Sequence, residues 1–240
     1  YHDSMEVKSS RALKYGELVK YMPLLSEMLF KHGTKVNKSC GFHVHIGLGT
    51  RTRKLHAWAA NFVTLARMIE KEAFLAVPET RRANSFCRSW KDYPGSIITP
   101  TYNASKYNNT SRYCWINPVE IFRPGGIRTI EIRLLGDTKN YLYLLAWISA
   151  CRIMAASAWA LTFDASRLEQ EVALHKEVFK MIHHCFQIES CPGKDKARQA
   201  LILAAKSGLY NAFKPSLREL QNKEIALRQD LLRKEREKEE

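Results

Sequence analysis

An α+β fold is predicted for this chain of 240 residues by three observations. Two short segments, 40–48 and 127–135, alternate apolar and polar residues with the period of two that marks a strand half-buried on one side. Longer stretches repeat apolar residues at three- and four-residue intervals, as helices packed by one face do. After Gly136 only helical patterns follow, so the sheet is expected in the first part of the chain, with helices outside it and a helical C-terminal region.

In order, residues 1–10 read as a short strand or its end. Residues 14–30 place Leu18, Met22, Leu25 and Leu29 on a helical stripe that Gly33 ends. The first alternating segment, Cys40-Gly41-Phe42-His43-Val44-His45-Ile46-Gly47, puts Phe42, Val44, Ile46 and Leu48 on one face and His43 and His45 on the other. At a rise of about 3.3 Å per residue the two imidazoles lie roughly 6–7 Å apart. One can then hold a metal while the other reaches a phosphate, although a half-buried strand with two solvated histidines gives the same pattern. Gly41, Gly47 and Gly49 let another backbone or a ligand come close. Thr50 is the expected N-cap of a helix carrying Leu55, Trp58, Ala59, Phe62, Leu65, Ala66 and Ile69 on one stripe, with Trp58 and Phe62 as core.

From 77 to 110 the texture changes to Pro78, Pro94, Gly95, Pro100 and Asn108-Asn109 among basic and aromatic residues. This predicts a long loop holding Arg81, Arg82, Arg88 and Lys91, able to fold over a nucleotide or to lie solvated. Residues 112–122 resemble a strand (Tyr113, Trp115, Ile116, Val119, Ile121), with Asn117 either forming a turn before Pro118 or contacting substrate. Pro124-Gly125-Gly126 then turns the chain into the second alternating segment as a hairpin-like pair. There Ile130, Ile132 and Leu134 share one face, and Thr129, Glu131 and Arg133 the other. A carboxylate and a guanidinium two residues apart suit a surface ion pair. They also supply a hard oxygen ligand for Mg²⁺ and an arginine for phosphoryl oxygens.

The remaining segments are helical: 141–161 almost wholly apolar, 166–186 amphipathic, 195–207 shorter, and 215–240 charged with alternating signs that support a helix. The 141–161 segment is long enough to cross a bilayer, but Arg152 at its middle and its small residues predict a core helix instead. Six cysteines (40, 87, 114, 151, 185 and 191) without a paired framework read as reduced thiols in a cytoplasmic compartment. The neighbours His183, His184, Cys185 and Cys191 fit no standard zinc spacing. A net charge of +14 favours phosphate-rich or acidic partners, yet no DNA- or RNA-binding motif is present. Nucleic acid is a possible partner but not the favoured one, and no membrane association is expected.

Cys40–Gly47, followed by Thr129-Ile130-Glu131-Ile132-Arg133-Leu134-Leu135-Gly136-Asp137-Thr138, resembles the amidoligase family, a branch of the glutamine synthetase and glutamate–cysteine ligase superfamily of carboxylate–amine ligases. Asp3-Ser4-Met5-Glu6-Val7-Lys8-Ser9-Ser10 is similar to the family's short acidic strand, and Pro78–Asn84 to its Arg-x-x-Asn segment. The resemblance covers about residues 1–160. It implies a curved antiparallel sheet of glutamine synthetase-like type and ATP-dependent amide formation through an acyl phosphate, from a carboxylate and an amine. It implies Glu6, His43 and Glu131 as ligands of Mg²⁺, and His45 at the phosphates of ATP. Arg133 would stabilise the transferring phosphoryl group, with Arg82 and Asn84 near the carboxylate or phosphate. The implied division is an amidoligase-like domain at 1–163, a helical extension at 164–214 and a charged tail at 215–240. That tail is a candidate partner helix or homo-oligomer contact.

The family opens with a strand bearing a Glu-x-Glu pair, and nothing upstream of Glu6 matches it. The chain begins at Tyr1, as a sequence starting inside the domain would. A second reading therefore stands beside the ligase: a non-catalytic structural or binding protein that keeps the fold and offers a basic surface to acidic partners.

Overall fold

Apolar periodicity decides most of the architecture. The structure is a computed structural model that describes residues 7–34, 40–48, 54–92, 113–123, 125–136, 138 and 141–189. Helix α1 (Tyr15–Lys31) buries Met22 with Leu18 and Leu25 packed beside it. It stops where Gly33 adopts a φ of 62° and the Thr34 amide donates back to the Leu29 carbonyl at 3.1 Å. Helix α2 (Leu55–Met68) buries Leu55, Trp58, Ala59, Phe62, Leu65 and Ala66, and Ile69 beyond its end is buried too. It begins where the apolar stripe begins, with Lys54 rather than Thr50 at its N-cap. Thr50 itself lies outside the described residues.

Helix α6 (Tyr141–Leu161) is the apolar segment, and it runs through the protein's core. Its length and composition would suit a bilayer, but 72% of the window Tyr143–Leu161 is buried against the rest of the chain. The Trp58 indole N–H donates to the Ala155 carbonyl at 2.9 Å, and Trp147 meets Phe179 edge-on at 5.5 Å between centroids. Arg152 takes the exposed side of this helix, which resolves the charge in an otherwise apolar run. Helix α7 (Leu168–Glu189) covers α6 with Val178, Phe179 and Ile182. It follows a 3₁₀ turn at Ala165–Arg167 that Asp164 caps through the Ser166 amide.

Strands β1 (Val44–Ile46), β2 (Ile116–Asn117) and β3 (Ile130–Ile132) form an antiparallel sheet in the order β1-β3-β2. Val44 and Ile116 both lie opposite Ile132, and these residues join the helical core on one side of the sheet. The described fold is thus α+β, dominated by helices around a small sheet.

Two sequence expectations need correction here. Residues 112–122 do not form one strand: β2 spans two residues, and Val119–Phe122 is a short helix, α5. Pro118 has no N–H for a ladder, and the Asn117 carboxamide oxygen accepts from the Val119 amide at 3.1 Å, which turns the chain. The first half of the expected long loop is folded as well. Helix α4 (Glu79–Arg82) and a 3₁₀ turn at Trp90–Asp92 lie in it, just after helix α3 (Glu70–Leu75). Buried Glu70 holds that turn by accepting from the Ser89 hydroxyl, the Trp90 amide at 2.8 Å and the Trp115 indole at 2.9 Å. The later loop residues, the expected helix at 195–207 and the tail at 215–240 lie outside the described residues.

Candidate functional site

The strand period of two sets the site. β3 is the central strand, so Glu131 has a direct neighbour on each side: His45 opposite it on β1 and Asn117 opposite it on β2. Residues directly opposite in an antiparallel ladder share a face, and His43 and Arg133, two positions along, return to the same face. The side chains meet accordingly. Glu131 Oε1 lies 3.0 Å from His43 Nδ1, 3.8 Å from His45 Nε2 and 2.8 Å from Arg133 Nη1. Its Oε2 accepts from the Asn117 amide nitrogen at 2.8 Å. His45 is the outermost member, with 45% of its side chain exposed and Nδ1 3.4 Å from the Thr129 hydroxyl.

Glu131 is only 8% exposed, and burial alone raises its pKa. The hydrogen bond from His43, the Arg133 charge and the Asn117 amide together outweigh that and hold the carboxyl down at about 2. A carboxylate kept ionised in a half-enclosed place, with imidazoles at its outer side, suits binding of a cation or a proton-bearing group. Arg133 is held from two further directions, by its Nε donating to the Phe86 carbonyl at 3.0 Å and by the Tyr113 ring 6.0 Å away.

The β1–β3 ladder changes register just past the site. Val44 lies opposite Ile132, whereas the next pairing along is Gly41 with Gly136. Arg133, Leu134 and Leu135 therefore face only Phe42 and His43, which is a β-bulge on β3. A bulge leaves backbone groups without ladder partners. Arg81, 3% exposed, fills the need: its Nη2 donates to the Arg133 carbonyl at 2.8 Å and its Nε to the Leu134 carbonyl at 3.3 Å. The glycine at 41 is required by this guanidinium, since a Cβ there would stand 2.5 Å from Arg81 Nη2. The close approach that the glycines allow at this point is thus made by a protein side chain.

The structure brings His43, His45, Glu131 and Arg133 together, and adds Arg81 and Asn117. Arg82 does not join them. Its guanidinium turns back to the Val77 and Leu75 carbonyls, both at 3.1 Å, at the end of α3. The Asn84 side chain accepts from the Phe86 amide at 2.9 Å and shapes the turn whose carbonyl holds Arg133, one step removed from the cluster. Glu6 lies outside the described residues. The signal for Arg81 was present in the sequence, because Arg81 rather than Arg82 stands three residues before Asn84 as Arg-x-x-Asn requires. Asn117 was visible as a polar residue amid hydrophobic ones.

As metal donors, Glu131 offers one hard oxygen and His43 one nitrogen, 3.0 Å apart. That is the separation of adjacent ligands around a cation bound at about 2.1 Å. Among the described residues no group of three or more His, Cys, Asp or Glu forms a metal-holding set. The pair therefore fits as one side of a Mg²⁺ site whose other ligands come from elsewhere. Neither the curated proteins nor the solved structures searched give a match to the chain. A family model described as "Putative amidoligase enzyme" matches residues 4–155, a span that contains every member of the cluster. With more than half of its length matched, and with the histidine and Glu-x-Arg strands side by side within that span, the chain belongs to the amidoligase family.

Proposed function

We propose that the protein is an ATP-dependent carboxylate–amine ligase whose sheet is of the glutamine synthetase-like type. One observation carries this reading: an ionised carboxylate, two imidazoles and an arginine converge on a single sheet row within 3.8 Å. In the proposed reaction a substrate carboxylate oxygen attacks the γ-phosphorus of ATP, the bond to ADP breaks, and an acyl phosphate forms. The amine nitrogen then attacks the acyl carbon, phosphate leaves, and the ammonium proton is lost to give the amide. Arg133, fixed by Phe86 and Glu131, neutralises charge that grows on the transferring phosphoryl oxygens. His45, the most exposed member, contacts the nucleotide phosphates. Glu131 and His43, with Glu6, would hold Mg²⁺, which would supply charge neutralisation at the phosphates. Arg82 and Asn84 stand outside the reacting centre in this scheme and shape the backbone around it. The substrates are a carboxylate and an amine, and the free thiols of Cys40, Cys87, Cys114 and Cys151 suit a reducing, cytoplasmic-type compartment.

The second reading, a scaffold without catalysis, draws on the fact that both Glu131 oxygens are already engaged by protein groups. Calorimetric titration with ATP, with and without Mg²⁺, decides between them. Binding that depends on Mg²⁺ and is weakened by Glu131→Gln supports the ligase; ATP binding that is indifferent to the metal, or none, leaves the scaffold.

A further inference from the structure

Trp115 links the Glu131 row to a cleft beside Glu70. Its backbone carbonyl accepts from the Arg133 amide at 2.8 Å, while its indole donates to Glu70, which lines this cleft of about 290 Å³. Phe74 and Leu75 form the apolar part of that cleft, and Lys71, Arg82, Ser89 and Lys91 the polar part. Phe74 is braced edge-on by Trp115 at 6.2 Å between centroids. Three cations and one carboxylate leave the lining with a charge of +2. Glu70 forms no ion pair with a described cation, its oxygens accepting from Ser89, Trp90 and Trp115. Neither Lys71 nor Lys91 forms an ion pair with a described residue.

Arg82 is the organising group. Its Nε and Nη2 are pinned to the Val77 and Leu75 carbonyls, so the guanidinium plane is fixed before any ligand arrives. A guanidinium has five N–H bonds, and the remaining three have no partner among the described residues. A fixed fork with spare donors, flanked by two ammonium groups that form no ion pair among the described residues, is the arrangement that selects an oxyanion. A single carboxylate would leave one positive charge uncompensated, whereas a phosphoryl group carries about −1.5 to −2 at pH 7. The volume lies just under the range of ligand pockets, about 300–1,000 Å³, which suits a phosphoryl group with a short apolar body against Phe74 and Leu75.

We propose that this cleft is a second anion site, one that binds a phosphorylated small molecule through Lys71, Arg82 and Lys91. It does not rest on the ligase reading, and the two can fail separately. The test is calorimetric titration of the full chain with phenyl phosphate, with benzoate as the singly charged comparison. Phenyl phosphate should bind more tightly than benzoate. The double variant Lys71→Ala/Lys91→Ala, at exposed positions that leave the fold unchanged by circular dichroism, should lose at least about tenfold in affinity. Arg82→Lys, which keeps the charge but not the fork, should also weaken binding, and Arg133→Ala should leave it unchanged. The proposal is overturned if millimolar phenyl phosphate does not bind, or if the double variant binds like the wild type. It is equally overturned if Lys20→Ala/Lys31→Ala weakens binding as much, which marks a diffuse basic surface, or if Arg133→Ala abolishes it, which puts the anion at the other site.

Discussion

Glu131 is ionised because three donors surround it, and each donor can be removed separately. Its carboxyl sits at about 2 in the folded chain against an ordinary 4.5. The folded state therefore binds this proton less readily than the unfolded chain, and the stability it contributes is present above about pH 4.5 and lost as pH falls toward 2. Glu131→Gln keeps the shape and the Asn117 contact but removes the charge that a hard cation prefers. It should weaken the Mg²⁺-dependent part of ATP binding while leaving the metal-free part in place, as read by paired titrations. Arg133→Ala has a different expected signature. A group that acts chiefly on charge developing in the transition state lowers kcat more than it raises KM, and loss of one such donor costs about 10²–10³ in rate. ADP release measured with carboxylate and amine present should show that split. A variant that instead raises KM for ATP with kcat preserved would assign Arg133 to ground-state nucleotide binding.

At the scale of the element, the bulge on β3 is the device that lets Arg133 face Glu131 while Leu134 and Leu135 both enter the core. Arg81 is what makes the bulge tolerable. Arg81→Met retains much of the side-chain bulk but leaves the Arg133 and Leu134 carbonyls without their donors, at a cost of about 2–4 kcal/mol. Urea denaturation should show the loss as a lower midpoint. Arg81→Lys should recover only part of it, since one ammonium cannot span both carbonyls as the fork does. A methionine variant as stable as the wild type would mean that the bulge is held by something else. This element also shows how far sequence reading reaches. Alternation in 40–48 and 127–135 put His43, His45, Glu131 and Arg133 on matching faces before any pairing was known, because side-chain direction follows residue parity in a strand. The bulge was not legible: an inserted residue in Arg133-Leu134-Leu135 reads only as two adjacent apolar positions. Helical periodicity alone could not choose between Arg81 and Arg82 in a single turn; only the spacing of Arg81 to Asn84 separates them. Residues 119–122 misled for a related reason. Val119, Ile121 and Phe122 satisfy either period over so short a stretch, and the turn at Asn117-Pro118 settles it.

The whole molecule depends on α6 staying packed, and one polar network is built into its contact with α7. The Ser157 hydroxyl donates to Glu171 Oε2, and Arg167 Nη2 donates to Glu171 Oε1 at 2.8 Å. Ser157 Oγ, 2.9 Å from His175 Nε2, uses its one O–H in the hydrogen bond to Glu171, so it accepts from the imidazole. His175 therefore carries its proton on Nε2, and Nδ1 is buried with no hydrogen-bond partner among the described residues. Protonation there would place an unpartnered charged N–H in the core, and burial accordingly lowers the His175 pKa to about 4 from an ordinary 6.5. The sign follows directly. Between about pH 6.5 and 4 the unfolded chain binds a proton that folded His175 refuses, so stability falls as pH falls across this window. The slope from this one group approaches 1.36 kcal/mol per pH unit at most. Glu131 adds its own loss only below about pH 4.5, so the two contributions occupy largely separate ranges. His175→Leu removes the titrating group, at a constant cost for the lost Ser157 contact. Thermal unfolding of both proteins from pH 7.5 to 4 should then show the wild type losing its advantage as the pH drops, with the gap between the curves narrowing below about 6.5. Parallel curves across that range would mean that His175 takes up its proton without leaving the core, and that the α6–α7 contact tolerates the charge.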